Sequence, residues 1–121
     1  MRGEQHLTRP QQFELVYGRG SSWASGPVVV KALPNGLGFS RYGFSVSRRV
    51  GNAVIRNLIK RRLREILRAI LLKPGWDIVL IARPSAVNAG YAGLREAVQH
   101  LLTRAHLMDM ASFSKGLAGE S

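Results

Sequence analysis

Cysteine is absent from this chain of 121 residues. Its absence excludes a disulfide framework, a cysteine-ligated zinc site and a thiol nucleophile. Long apolar runs are also missing, because the longest are a few residues against the roughly 20 that span a bilayer. No apolar segment typical of a secretory signal follows Met1. These features predict a cytoplasmic protein without a membrane partner.

Acidic residues are scarce as well, with 7 Asp and Glu against 18 Lys and Arg and a formal net charge of +11. No two acids are close in sequence, whereas a metal-dependent nuclease needs several converging carboxylates. The motifs of a serine hydrolase, a zinc protease and a phosphate-binding loop are not found. We therefore predict no catalytic residues, no metal ligands and no small-molecule substrate for the protein itself. The basic excess instead indicates nucleic acid as the partner.

What the chain does have is one strongly basic stretch, from Ser47 to Arg68, that holds eight of the 18 Lys and Arg residues. Apolar residues recur along it at steps of four and three, which is the period of one helix face. They are Ile55, Ile59, Leu63, Ile66 and Ile70. Asn52 stands just before this run and is a typical N-cap residue. The pattern predicts an amphipathic helix from about Asn52 to Leu72, ended by Pro74-Gly75.

The face of this helix opposite the isoleucine stripe is positively charged. At about 100° per residue, five polar side chains fall together there: Asn57, Lys60, Arg61, Arg64 and Arg68. Like charges this close repel one another by roughly 0.2–0.5 kcal/mol per pair on an isolated helix. A solvated basic surface is one interpretation. A polyanion partner explains the pattern better, because binding to phosphates turns the repulsion into affinity.

The same stretch resembles the signature of the bacterial ribonuclease P protein subunit. The match runs over Val50-x-x-Ala53-x-x-Arg56-Asn57-Leu58-Ile59-Lys60-Arg61-x-Leu63-Arg64. In many members of that family a third basic residue follows Arg-Asn, and Leu58 stands in its place here. The resemblance extends over roughly Leu7 to Leu107. It implies an accessory subunit of an endoribonuclease, with ribonuclease P RNA and precursor tRNA as partners. It also implies that the RNA subunit is the catalyst and uses bound Mg²⁺.

A short helix of about three turns is predicted near the N-terminus. Thr8 to Gln11 has the form of a capping box. Phe13, Val16 and Tyr17 then share one face. An aromatic pair at this spacing usually packs into a core, which is the first interpretation. The resemblance implies a second, in which Phe13 and Tyr17 line a cleft for the single-stranded 5′ leader of precursor tRNA. Aromatic faces beside basic charge suit sequence-tolerant binding of single strands.

Strands are predicted on both sides of the basic helix. Ser21 to Leu33 is extended chain interrupted at Gly26-Pro27. Tyr42 to Ser47 alternates bulky apolar residues with small, mostly polar ones. Ile78 to Ala82 is a continuous apolar run, as expected for a strand that is buried on both faces. A last helix is predicted from about Tyr91 to Leu107.

The order helix, two or three strands, helix, strand, helix defines an α+β fold, which we expect to be a two-layer α-β sandwich. A strand–helix–strand crossover implies a parallel pair of strands. The resemblance further implies the ribosomal protein S5 domain 2-like type, with the order αβββαβα and a left-handed crossover. Residues 1–110 are expected to form a single domain, with residues 111–121 as a disordered tail.

The predicted mechanism uses two surfaces. The first is the basic helix with its start, which would dock on the catalytic RNA through Arg48, Arg49, Asn52, Arg56, Asn57, Lys60, Arg61, Arg64 and Arg68. The second is the leader cleft, assigned to Phe13, Tyr17, Lys31, Tyr42, Ser45 and Ser47. Because mature tRNA lacks the leader, holding it would distinguish precursor from product. Basic side chains near the cleavage site would also lower the Mg²⁺ concentration needed, because they screen phosphate repulsion.

The principal alternative is a structural, ribosomal-type RNA-binding protein that uses the same basic helix without recognising a leader. A helix-turn-helix DNA binder is disfavoured, because the charge runs along five turns and not at one groove-reading end. A membrane-surface helix is disfavoured, because both tryptophans, Trp23 and Trp76, lie outside the helix.

Overall fold

The computed structural model describes residues 5–108, so the predicted tail at residues 111–121 lies outside the described part. Within residues 5–108 the elements are β1 (Gln5–His6), α1 (Pro10–Arg19), β2 (Ser21–Ser25), β3 (Val28–Pro34), β4 (Arg41–Val46), α2 (Ala53–Arg68), β5 (Trp76–Ala82) and α3 (Ala86–Arg104). The predicted α+β class and the order αβββαβα are confirmed, with the two-residue strand β1 in addition. None of the helices described is long and apolar enough to cross a membrane.

The strands form one mixed sheet in the order β1-β4-β5-β3-β2. β4 and β5 are parallel and are joined through α2, which confirms the predicted parallel pair. β3 lies antiparallel to β5, and β2 is antiparallel to β3 across the turn at Gly26-Pro27. Gly26 has a φ of 51°, in the left-handed region that glycine enters at little cost. The apolar strand β5 therefore lies between two neighbours, as its sequence predicts.

Helices cover both faces of the sheet. On one face, Leu63 of α2 and Leu101 of α3 belong to the main buried core together with Leu80 of β5. On the opposite face, Val16 of α1 and Val79 of β5 form a smaller buried cluster. Successive residues of a strand point to opposite faces, so Val79 and Leu80 serve different cores. The main core is thus the α-β sandwich of α2, α3 and the sheet, and α1 lies on the other face.

The basic helix α2 begins where the sequence predicts. Asn52 is its N-cap, and the Asn52 Oδ1 accepts a hydrogen bond from a first-turn backbone N–H at 3.0 Å. The predicted end near Leu72 is wrong, because the helix ends at Arg68. Ile70 and Leu72 are buried nevertheless, in a non-helical segment where Leu72 pairs with Met108. Ile70 continues the period of the apolar stripe although the chain has left the helix, whereas Leu72 is off that stripe and is held by a partner 36 residues further along the chain.

The other two helices also differ in detail from their predicted starts. α1 begins at Pro10, and Gln12 caps it in place of Gln11. The Gln12 Oε1 accepts hydrogen bonds from the backbone N–H groups of the two residues before the helix, at 2.9 and 3.1 Å. α3 begins earlier than predicted, at Ala86, and bends at Gly90, where φ is 70° and ψ is 176°. A bend of this kind needs glycine, because other residues are strained at positive φ.

Candidate nucleic-acid interface

The outward face of α2 carries the basic residues singled out in the sequence. Asn57, Arg61 and Arg68 are exposed, and Lys60 and Arg64 are half-buried beside them. A groove of about 560 Å³ runs along this face and is lined by Val54, Asn57, Leu58, Lys60, Arg61 and Arg64. The groove therefore combines cationic groups with the aliphatic side chains of Val54 and Leu58. The charge pattern of the sequence did not indicate these two residues.

The start of α2 adds further positive charge. Arg48 and Arg49 are exposed in the loop before the helix, next to the exposed cap residue Asn52. Arg56 is half-buried, and its Nε–H donates a hydrogen bond to the Gly51 carbonyl at 3.2 Å. This bond uses one of the five N–H groups of the guanidinium and holds the side chain against the loop. The assigned residues before α2 thus lie in one continuous segment with its basic face.

The sheet face that carries α1 is only partly covered. α1 packs against β3 and β5 and leaves one row of residues partly accessible across four strands. This open row consists of Ala24, Val29, Ile81 and Ser45, which are directly opposed in neighbouring strands. Each of them is half-buried or exposed, and their side chains are small or aliphatic. A strand of another molecule can approach closely over such a surface.

Two aromatic residues and one lysine lie together on this side of the sheet. Phe13 and Tyr17 are one turn apart on α1, with ring centroids separated by 6.4 Å. The Lys31 Nζ lies 6.0 Å from the centroid of the Tyr17 ring, at the outer limit of a cation–π contact. The structure therefore brings Phe13, Tyr17 and Lys31 together, although they come from a helix and a strand.

The two aromatic rings have different environments. A Cβ built on Gly43 of β4 would lie 2.5 Å from the Cζ of Phe13, so the ring can keep its present position only while residue 43 has no side chain. Phe13 also packs against the smaller buried cluster that contains Val16. Tyr17, in contrast, is 39% exposed. Phe13 thus contributes mainly to packing on the sheet, whereas Tyr17 offers an accessible ring.

Tyr42 lies on the face of the sheet opposite Phe13, Tyr17 and Lys31, so its assignment to the same leader cleft is wrong. Its side chain is 8% exposed and belongs to the main core on the α2 and α3 face. Its ring contacts those of His6 and Phe44, with centroid distances of 4.8 and 5.7 Å. Alternation along β4 places Ser45 on the opposite face, in the open row. Ser47 is exposed just beyond the end of β4.

An ion pair that the sequence reasoning missed fixes β4 beside β5. The Arg41 Nε and Nη2 donate hydrogen bonds to the Asp77 carboxylate at 2.8 and 2.6 Å, and the two residues are directly opposed in the sheet. The Asn35 Nδ2 donates to the same carboxylate at 3.0 Å. The hydrogen bond to Asp77 raises the pKa of Arg41. No local signal marks this pair, because its members are 36 residues apart.

Carboxylates are dispersed in the part of the chain that the structure describes. Asp77 is paired with Arg41, whereas Glu65 lies exposed on α2 and Glu96 on α3. Among residues 5–108, no three His, Asp or Glu side chains are grouped so that they could hold a metal ion. The charge along α2 is dominated by its Lys and Arg residues.

These features define a class of protein: a small basic α+β protein in which a polycationic helix packs on one face of the sheet and the other face is half-open, with the electrostatic footprint of a nucleic-acid binder. The Ribonuclease P family model matches residues 1–106, so the chain belongs to the ribonuclease P protein family. The family resemblance of the basic stretch is thereby confirmed. Membership associates the chain with an endoribonuclease complex that has an RNA partner.

Individual relatives agree with this assignment. The ribonuclease P protein component of Dehalococcoides mccartyi is 44% identical over 112 residues, which cover 93% of each chain. The RNase P protein of Staphylococcus aureus superposes with a TM-score of 0.77 at 31% identity, covering 86% of this chain and 97% of that one. The RNase P protein of Thermotoga maritima gives a TM-score of 0.73 at 34% identity, covering 82% and 96%. Sequence and fold are therefore similar over most of the chain.

Proposed function

We propose that this chain is the protein subunit of a cytoplasmic ribonuclease P that removes the 5′ leader from precursor tRNA. In this complex an RNA subunit uses bound Mg²⁺ to cleave the phosphodiester bond. The protein supplies positive charge and a binding site for the leader. The family assignment supports the complex, and the arrangement of the two surfaces supports this division of roles.

The basic face of α2 docks on the catalytic RNA. Lys60, Arg61 and Arg64 line one groove, and each of these cations can neutralise a phosphate of the RNA backbone. Each phosphate that is neutralised releases counterions, so the affinity falls as the salt concentration rises. Removal of Arg61 and Arg64 together should lower the slope of log K against log salt by up to about 1.8.

The leader lies over the open row, between α1 and the end of β4. The observation that carries this assignment is the exposed ring of Tyr17 beside Lys31, above a sheet face that α1 covers only in part. A base stacked on Tyr17 contributes about 1–3 kcal/mol, whatever its sequence. Lys31 neutralises an adjacent phosphate, and the small side chain of Ser45 allows the backbone of the strand to approach.

The test is cleavage of a 5′-extended precursor tRNA by a bacterial ribonuclease P RNA at low Mg²⁺, with and without this protein. We expect strong stimulation that is lost when Arg61→Ala and Arg64→Ala are combined. Tyr17→Ala should weaken binding of the precursor by about 5- to 150-fold, which corresponds to the loss of one stacked base. Leu15→Ala is the matched control, because Leu15 is also exposed on α1 but lies on the side opposite Tyr17. Failure of the protein to stimulate cleavage would refute the proposed function.

Leader recognition is tested separately, through the affinities of the reconstituted complex for precursor and mature tRNA. We expect a preference for the precursor, and Lys31→Ala should reduce the salt dependence of that preference. A salt dependence that Lys31→Ala leaves unchanged would contradict the role of this lysine. Equal affinity for both tRNAs, despite tight RNA binding, would favour the structural RNA-binding alternative.

A further inference from the structure

Part of the groove on α2 is apolar, and phosphate binding does not account for it. Val54 is 77% exposed, although it lies in the first turn of a helix that turns its larger apolar residues toward the core. Leu58 follows one turn later and is half-buried. Neither Val54 nor Leu58 belongs to the two buried cores of the described part of the chain. Both line the groove of about 560 Å³ beside Asn57, Lys60, Arg61 and Arg64.

Folding does not require an exposed valine at this position. Valine is a weaker helix former than alanine, because its branched side chain loses freedom against the preceding turn. An exposed valine beside a half-buried leucine also leaves apolar surface in water, which is unfavourable unless a partner covers it. Val54 and Leu58 are therefore better explained by a partner than by the stability of the free protein.

The cations around the groove restrict what that partner can be. An apolar peptide would cover Lys60, Arg61 and Arg64 without supplying countercharge, and burying unpaired charge is costly. A nucleotide supplies both features, because its base has an apolar face and its phosphate is an anion. Guanidinium planes and amide groups, such as those of Arg61 and Asn57, are also the groups that stack on bases and hydrogen-bond to their edges.

We propose that this groove holds one unpaired nucleobase of the RNA partner. The base packs its face on Val54 and Leu58, and the flanking cations contact its phosphate. The inference rests on the proposed function, since it requires RNA to lie against α2, and it names the chemical group that this part of the surface recognises.

The test is equilibrium binding of the intact protein to a bacterial ribonuclease P RNA over a series of salt concentrations. Val54→Ala removes apolar contact and no charge, so we expect affinity to fall about three- to tenfold at every salt concentration with an unchanged slope. Lys60→Ala should instead lower the slope by about 0.7–0.9. Leu71→Ala is the control, because Leu71 is 48% exposed but lies beyond the end of α2, and it should change neither quantity. An affinity that Val54→Ala leaves unchanged would overturn the inference.

Leu58→Lys distinguishes a base from a second phosphate in the groove. If the groove holds a base, this variant should bind more weakly at high salt even though its net charge is greater. Tighter binding with a steeper salt slope would show that the groove takes phosphate only. Because Leu58 is half-buried, a second readout uses the wild-type protein labelled on its valine methyl groups. The ring current of a stacked base should shift the Val54 methyl resonances upfield when RNA is added, and unshifted resonances would contradict base contact.

The wild-type titration separates failure of the inference from failure of the proposed function. If the unmodified chain shows no salt-dependent binding to ribonuclease P RNA and no stimulation of cleavage, both are refuted. A different outcome would refute only the base-binding groove. In that case the wild type binds the RNA and stimulates cleavage, Val54→Ala leaves the affinity unchanged, and Leu58→Lys binds more tightly with a steeper salt slope.

Discussion

Replacing Gly43 by alanine tests how Phe13 is held on the sheet. The new Cβ would lie 2.5 Å from Cζ and 2.8 Å from Cε1 of the Phe13 ring, distances at which the ring has to move. The contacting atoms belong to the far end of the ring, so rotation of the Phe13 side chain can relieve the clash. The open row beside β4 is the space into which we expect the ring to move.

Two opposing contributions set the change in the free energy of unfolding. Overpacking of a well-filled site costs about 1–3 kcal/mol. Alanine in place of glycine within a strand gains about 0.5–1 kcal/mol, because the unfolded chain has less entropy to lose. Gly43→Ala should therefore destabilise the protein by about 0–2.5 kcal/mol. When Phe13→Ala has already removed the ring, the clash is absent and Gly43→Ala should stabilise the protein by up to about 1 kcal/mol.

Urea unfolding of the wild type, both single variants and the double variant measures this coupling. The expected result is a coupling of about 1–3 kcal/mol between the two sites: Gly43→Ala stabilises the Phe13→Ala background and does not stabilise the wild type. The Cβ of Leu7 is the next neighbour, at 3.3 Å, and reduces the gain without reversing it. Equal destabilisation in both backgrounds would refute the reasoning, because the cost would then not arise from the ring.

Two further substitutions test contacts that position the candidate surfaces, and both are measured by urea unfolding. Asp77→Asn should destabilise the protein by about 2–4 kcal/mol, because it leaves the guanidinium of Arg41 without its countercharge, and an unchanged stability would contradict this. Pairing with Asp77 raises the pKa of Arg41 above the ordinary pKa of arginine. The stabilisation from this pair is therefore complete at any pH below the ordinary pKa and is lost only as the pH passes the raised pKa. Arg41 consequently adds no pH dependence to the free energy of unfolding near neutrality. Asn52→Ala should cost about 1 kcal/mol by removing the α2 cap, whereas Asn52→Asp should retain it. Equal stabilities of these two variants would count against the cap.

The parts of the fold that the sequence predicted are those with local causes. The cap at Asn52 and the burial of Ile59, Leu63 and Ile66 follow from residue type and from a period of 3.6, which hold within one helix. The strand β5 was predicted because a continuous apolar run indicates burial on both faces. These features need no knowledge of what lies elsewhere in the chain.

The parts that were missed depend on distant residues. The end of α2 was placed too late, because the apolar period continues to Ile70 and no Gly or Pro lies between Asn52 and Pro74. The chain leaves the helix after Arg68 and pairs Leu72 with Met108, a contact that no local pattern indicates. The assignment of Tyr42 to the cleft is an exception, because alternation along β4 already places Tyr42 on the face opposite Ser45 and Ser47, which were assigned with it. The pairing of Arg41 with Asp77 depends on the strand order, which no local pattern specifies.

The strand β4 continues from the open row directly into the basic helix. Ser45 lies in that row and Asn52 caps α2, while Val46 and Val50 between them are buried. The Val50 N–H also donates a hydrogen bond to the Ser47 carbonyl at 3.1 Å. A connection anchored at these points cannot lengthen or swing independently of the sheet. The fold therefore fixes the distance between the open row and the basic face of α2. Molecules bound at these two surfaces are held at that distance, whether or not they touch each other.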